Sequence, residues 1–282
     1  MVGRTRFTRA IVVALVAAFA AAAVAGAASA RSHSKHPSAA ASGPVTMWDG
    51  AGALLWHPSA VDPAQFGATL RAAGFGWAAV YFGEAGVAHP PSAEWIARFR
   101  QASGLPVGGW SVLGDDPEAD AAVATQGIAQ YGFSFYIADA ESTDPAQPQR
   151  SADFVAAFRA AEPTLPAGLS SLCHAEGVGL APWAQAGFAF LPQAYVNDFG
   201  TGVSPSACVQ AAAPWFPISQ VHPTVASYRG LLGTVKPRSF THLLKQAGTI
   251  GFSIFPAEAG MTAKNWQAYG QAIAKLHIAV AG

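Results

Sequence analysis

FSFYIADAE (residues 133–141), followed by SADFVAAFRAAE (151–162), is the stretch whose reading decides the fold. The first piece is a near-continuous apolar run of strand length, as parallel strands buried on both faces require. The second is longer and Ala-rich, the pattern of a helix. The same alternation extends in both directions. Upstream, VTMWDG (45–50), WAAVYFGE (77–84) and VGGWSVLG (107–114) read as strands, separated by helical stretches at 62–74, 93–104 and 118–132. Downstream, strands are expected within 167–177, 188–198, 216–223 and 250–258, and helices at 205–213, 238–247 and 263–276, with a short one around Pro182 to Ala186. Gly74, Gly104, Gly132, Gly168, Gly187 and Gly248 each follow a helical stretch and suit its C-terminal cap.

About eight strand–helix units in roughly 240 residues is the size and rhythm of an α/β (β/α)8 barrel, a TIM barrel, forming a single domain over residues 45–282. The competing fold is an open doubly wound sheet, which often carries a Gly-rich phosphate loop after its first strand. Here Asp49-Gly50-Ala51-Gly52 leads into Leu54-Leu55-Trp56-His57, with neither GxGxxG nor a Walker loop, and the barrel is favoured.

The 282 residues are 51% hydrophobic and only 11% charged, with Lys+Arg 16 against Asp+Glu 16, which excludes a disordered chain. No block of Lys and Arg is present to neutralise phosphates, so no nucleic-acid partner is expected. Arg4, Arg6 and Arg9 precede an apolar run from Ala10 to Val24 that ends in Ala28-Ser29-Ala30, the three parts of a secretory signal peptide over residues 1–30. Removing it leaves 13 basic and 16 acidic residues and no further run long enough to span a membrane. Residues 31–44, RSHSKHPSAAASGP, read as a flexible linker, and the protein as secreted or cell-surface. In such an oxidising compartment Cys173 and Cys208 are expected to form a disulfide. His174 adjoins Cys173 but would point to the opposite strand face, badly placed for a catalytic pair.

Functional residues of such barrels sit at the C-terminal ends of strands. Asp139 and Glu141 end the fourth strand two residues apart, on one face above Phe135 and Ile137, with Cα atoms about 6.5 Å apart by strand rise. Two carboxylates crowded above apolar residues do not both ionise cheaply, and one holds its proton near neutrality. A protonated carboxyl beside an ionised one is what glycosidic cleavage requires. Asp49, ending the expected first strand, would face this pair across the barrel mouth, unless it only forms an Asx turn into Gly50. Further polar candidates at strand ends are Glu84, His174, Asn197, Gln220 and Glu258. Trp48, Trp110 and Tyr195 are candidate platforms for the apolar face of a sugar. Trp77, Trp95 and Trp266 fall at packing positions. His174 with Glu176, or His222 with Asp198, shows no metal-ligand spacing, so neither metal nor cofactor is expected.

The order of WDG (48–50), Ala73-Gly74, Glu84, Val107-Gly108 and Asp139-x-Glu141 resembles the lysozyme-type glycoside hydrolases of family 25 and related secreted barrel domains, over residues 45–142. That resemblance implies Glu141 as general acid, with Asp139 and Asp49 orienting substrate and stabilising positive charge. The chain departs from the family at Gly109-Trp110-Ser111, where an aromatic-His pair is usual, at Asp49-Gly50-Ala51, and at Glu258, where the last strand would end in aspartate. The chitinase pattern D-x-x-D-x-D-x-E is incomplete too, with Ser134 and Ile137 in its first two acidic places. The expectation is a monomeric secreted glycoside hydrolase acting on polysaccharide or peptidoglycan. A catalytically silent glycan-binding barrel is the alternative, and a metal-assisted or phosphoester hydrolase is a third.

Overall fold

Three helices start on one local device, a capping side chain followed by proline. Asp62, Asp116 and Ser204 accept hydrogen bonds from the backbone N–H groups of Gln65, Ala119 and Ala207, and Pro63, Pro117 and Pro205 occupy the first helical position. Proline there gives up only an N–H that has no intrahelical partner. At the far ends Gly104, Gly132 and Gly248 take the left-handed conformation that ends a helix. Gly168 does not serve this way: it lies inside a strand, and the preceding helix ends on Glu162.

The computed structural model describes residues 46–141, 144–258 and 263–276. The expected signal peptide at 1–30 and linker at 31–44 fall outside these residues. The strands are β1 (Gly50–Leu55), β2 (Trp77–Glu84), β3 (Val87–Ala88), β4 (Val107–Val112), β5 (Tyr136–Asp139), β6 (Ala167–Leu172), β7 (Ala189–Gln193), β8 (Thr224–Ala226) and β9 (Gly251–Phe255). The helices are α1 (Pro63–Ala72), α2 (Ala93–Ser103), α3 (Pro117–Tyr131), α4 (Gln147–Ala161), α5 (Leu180–Gln185), α6 (Val196–Phe199), α7 (Pro205–Ala212), α8 (Pro237–Ala247) and α9 (Ala263–Leu276). Eight strands run parallel in the order β1-β9-β8-β7-β6-β5-β4-β2, and pairing of Gly52 with Trp77 joins β1 to β2 and closes the barrel. β3 is an antiparallel addition to the end of β2. The (β/α)8 barrel expected from the alternation is the observed fold. None of the described helices is long and apolar enough to cross a membrane.

Two strands lie later in the sequence than expected, and both shifts move candidate residues. β1 is GAGALL, not VTMWDG. Residues before it form a turn in which the Asp49 carboxylate accepts from the Thr46 N–H (2.6 Å) and hydroxyl (3.1 Å). The seventh barrel strand is Thr224–Ala226, preceded by a 3-10 turn over Ile218–Gln220. Asp49 and Gln220 therefore stand before their strands, at the N-terminal end of the barrel. They do not face Asp139 and Glu141.

The floor of the barrel explains where Trp48 goes. Trp48, Trp77 and Phe135 meet edge to face, with ring centroids 5.4, 5.3 and 5.5 Å apart. Each such pair contributes about 0.5–1.5 kcal/mol beyond the area it buries. Glycines make the room: a Cβ on Gly52 would overlap the Trp77 ring, and one on Gly108 would overlap Phe135. A Cβ on Gly168 would lie 2.6 Å from Leu191 and 3.2 Å from Trp48. Trp48 is thus a buried plug and not a sugar platform. Outside the strands, a second apolar layer built from Phe82, Phe99, Phe158, Trp183 and Phe190 packs the helices onto the barrel wall.

Cys173, just after β6, is bonded to Cys208 in α7, with Cα atoms 4.7 Å apart. The link fastens the rim beyond β6 to a helix 35 residues further along the chain.

Candidate active site

The inward side chains change character along each strand. Ile137 and Leu191 belong to the apolar inner cluster, and Asp139 and Gln193 follow two residues later on the same faces. Asp139 ends β5 and is 8% exposed, whereas Glu141 reaches solvent at the rim. Gln193 gathers them. Its side-chain amide donates to Asp139 Oδ1 (3.3 Å) and to Glu141 Oε1. The two carboxyl groups lie close enough to influence each other's protonation, and Ser170 stands beside Asp139 on β6. Two carboxyl groups held this close do not both ionise cheaply.

Burial pushes the Asp139 pKa well above the carboxylate range, the negative charge of Glu141 adds to the rise, and the nearby Ser170 hydroxyl and Gln193 amide oppose it. Glu141 is raised by the protein packed round it, with the Gln193 amide and the nearby Asp139 pulling it down. The pair behaves as one acid site that keeps a proton to higher pH than a free carboxyl. Arg150 does not neutralise it, being held by Asp115 (2.7 Å) and Asp144 (3.2 Å).

Aromatic rings line the rim beside the pair. Trp56, just past β1 and 37% exposed, stacks on Tyr81 at 6.0 Å and packs against Trp110 (5.8 Å) and Phe255 (5.2 Å). Tyr195 stacks on Phe255 at 6.1 Å, which continues the wall towards the carboxyls. Its hydroxyl pKa is raised by burial first and then by the charges of Asp139 and Glu141, so it stays protonated as a hydrogen-bond donor. Trp110 is 3% exposed, and its Nε1–H donates to the Leu55 carbonyl (2.9 Å). It supports Trp56 from beneath and does not itself present a platform.

The other candidates brace loops. Glu258 accepts from the Trp56 N–H (3.0 Å) and His57 N–H (2.6 Å), which fixes the turn carrying Trp56. Glu84 accepts from the Tyr81 hydroxyl (3.1 Å). Asn197 is buried and donates to the Tyr228 carbonyl (3.0 Å), and Asp198 takes the Tyr228 hydroxyl (2.5 Å) and Leu231 N–H (2.9 Å). His174 is exposed and bonds to the Gly202 carbonyl (3.2 Å). Asp120 on α3 is buried and accepts from the Gly114 N–H (2.7 Å), fixing the loop after β4. Among the described residues, no three His, Cys, Asp or Glu side chains cluster as a metal site would need.

Sequence reasoning places Asp139 and Glu141 together and misses Gln193, Trp56, Tyr81 and Phe255. Gln193 was within reach of it, since Gln193 and Tyr195 share a face by period-two alternation. Trp56 was hidden by the displaced first strand.

No family model and no curated protein sequence matches the chain. Solved structures do. A class V chitinase from Pseudomonas fluorescens Pf-5 matches with TM-score 0.64 at 12% identity, over 80% of this chain and 99% of the other. The catalytic domain of a family GH18 chitinase from the fern Peteris ryukyuensis matches with TM-score 0.58 at 17% identity, over 81% and 100%. The Bacillus cereus spore cortex-lytic enzyme SleL matches with TM-score 0.57 at 13% identity, over 79% and 74%. These likenesses are to chitinase-type barrels, and they do not show the lysozyme-type family expected from the motif order. Of the chitinase pattern the chain keeps the terminal Asp139-x-Glu141. At these identities the common ground is architectural: the chain has the (β/α)8 barrel fold found in these glycoside hydrolases.

Proposed function

We propose that the protein is a secreted glycoside hydrolase that cleaves a polysaccharide containing 2-acetamido sugars, such as chitin or the glycan of peptidoglycan, with Glu141 as general acid. The observation that carries this reading is that the Gln193 amide donates to both Asp139 and Glu141, gathering the two carboxyls beside an aromatic rim. Two-carboxylate glycosidases set their groups about 5–9.5 Å apart, on opposite sides of the sugar. Asp139 and Glu141 accept from the same amide nitrogen and so act from one side of the sugar. Asp49 is at the far end of the barrel, and Asp198 and Glu258 are engaged by loop donors. The second function therefore comes from the substrate, whose acetamido oxygen attacks the anomeric carbon.

Glu141 gives its proton to the glycosidic oxygen as the carbon–oxygen bond breaks, and the acetamido oxygen forms the new bond to that carbon. The proton given up is the one the pair shares, and the Gln193 amide donates to the carboxylate left on Glu141. Water then adds at the anomeric carbon, returns a proton to Glu141 and releases the acetamido group. The neighbours' names, chitinase and cortex-lytic enzyme, favour this substrate class. Glu141→Gln is expected to abolish release of reducing ends from chitin and peptidoglycan while melting temperature and glycan binding stay near wild type. An unchanged rate removes Glu141 from the role.

A silent glycan-binding barrel is the second reading, favoured by Ser134 and Ile137 in place of acids. Glycan affinity in the wild type with no product across a broad pH range would select it.

A further inference from the structure

The charges of the chain are sorted by position. Residues 46–228 hold five arginines and no lysine against fifteen acids, whereas residues 229–276 hold Arg229, Lys236, Arg238, Lys245, Lys264 and Lys275 against one acid, Glu258. Glu258 is itself engaged by backbone at the mouth. The basic segment contains α8 and α9, which pack against each other outside the barrel. Between them runs a cavity of about 270 Å³, lined by Arg238, Thr241, His242 and Lys245 of α8 and by Gln271 of α9. Arg238, His242 and Lys245 are exposed, and neither Arg238 nor Lys245 forms a salt bridge among the described residues.

We propose that this groove on the barrel's outer wall binds an extended anionic polysaccharide, at a site separate from the Asp139–Glu141 pair. Arg238, His242 and Lys245 follow one another at i, i+4 and i+7, on one helical face. At 1.5 Å per residue they advance by about 6 Å and then about 4.5 Å, each step comparable with one sugar unit. Such a row suits a chain with successive acidic groups better than a single compact anion, which needs donors converging on one centre. The uncharged lining suits hydroxyl groups, because the Gln271 amide offers both donors and an acceptor. A single-stranded nucleic acid would look for aromatic stacking surfaces, and no aromatic side chain lines the groove. A lipid surface would look for exposed apolar side chains; α8 itself presents no large one, and the exposed Leu231, Leu232 and Ile250 lie in the segments before and after it and do not line the groove.

The test uses the whole protein with polygalacturonate, one carboxylate per sugar, as probe. Affinity is measured at several salt concentrations for the wild type and for the Arg238→Glu/Lys245→Glu double variant, whose two positions are exposed. The wild type is expected to bind with an affinity that falls steeply with salt, and the variant to bind at least about tenfold more weakly with a shallower salt dependence. Melting temperature and release of reducing ends from a short neutral oligosaccharide should stay unchanged. Equal binding by both proteins overturns the proposal, as does wild-type preference for single-stranded DNA or phosphatidylglycerol vesicles over polygalacturonate. Because the readout is binding, loss of the hydrolase reading would leave this result standing.

Discussion

Replacing Gln193 by Met keeps the length of the side chain and removes the amide that holds the carboxyl pair. The amide donates to both carboxyls, and the bond to Glu141 is the one whose acceptor changes charge in the proposed reaction. A hydrogen bond to a charged group contributes about 1.5–3 kcal/mol. In the proposed reaction Glu141 gains negative charge as it gives up its proton, so this bond strengthens on the way to the transition state and its loss falls on kcat. At 1.36 kcal/mol per factor of ten, kcat should drop by roughly 10- to 150-fold with KM little changed. The pH profile supplies an independent sign. Gln193 lowers the pKa of both carboxyls, so its removal raises them further, and the alkaline limb of the rate profile should move to higher pH. Reducing-end assays across pH on a 2-acetamido glycan measure both quantities. An unchanged kcat, or an alkaline limb displaced to lower pH, would refute the assignment of Gln193 as the residue that positions the acid.

Two further outcomes follow from placement. Asp49→Ala removes the bonds to Thr46 at the N-terminal end and should lower unfolding free energy by about 1–3 kcal/mol while kcat stays at the wild-type value. A collapse of turnover without loss of stability would return Asp49 to the active site. Cys173→Ser/Cys208→Ser opens a 35-residue loop and should cost about 3–4 kcal/mol in urea unfolding under oxidising conditions, and a loss below about 1 kcal/mol would contradict that account.

How much of this was legible in the sequence depends on where each signal is written. β5 was readable because its neighbours cover both faces, so every residue from Tyr136 to Ala138 is apolar and the carboxylates begin where the cover ends. β1 was not, because its inward Gly52 is dictated by the Trp77 ring, 25 positions further along the chain. A strand of glycine and alanine carries little β signal of its own. The neighbouring VTMWDG looked more strand-like and carried Asp49 to the wrong end. β8, with three residues, is too short for alternation to be counted. Trp48 illustrates the remaining difficulty, since a buried plug and an exposed platform call for the same side chain.

The interlocked floor divides the molecule's freedom to change. Gly52 cannot gain a side chain unless Trp77 shrinks, Gly108 is bound in the same way to Phe135, and Gly168 to Leu191 and Trp48. Drift at that end has to proceed by paired exchanges across strands, with each lone substitution penalised before its complement arrives. Trp56 and Tyr81, half open to water at the other end, carry no such obligation. New specificities can accumulate there one residue at a time, on a base that holds still.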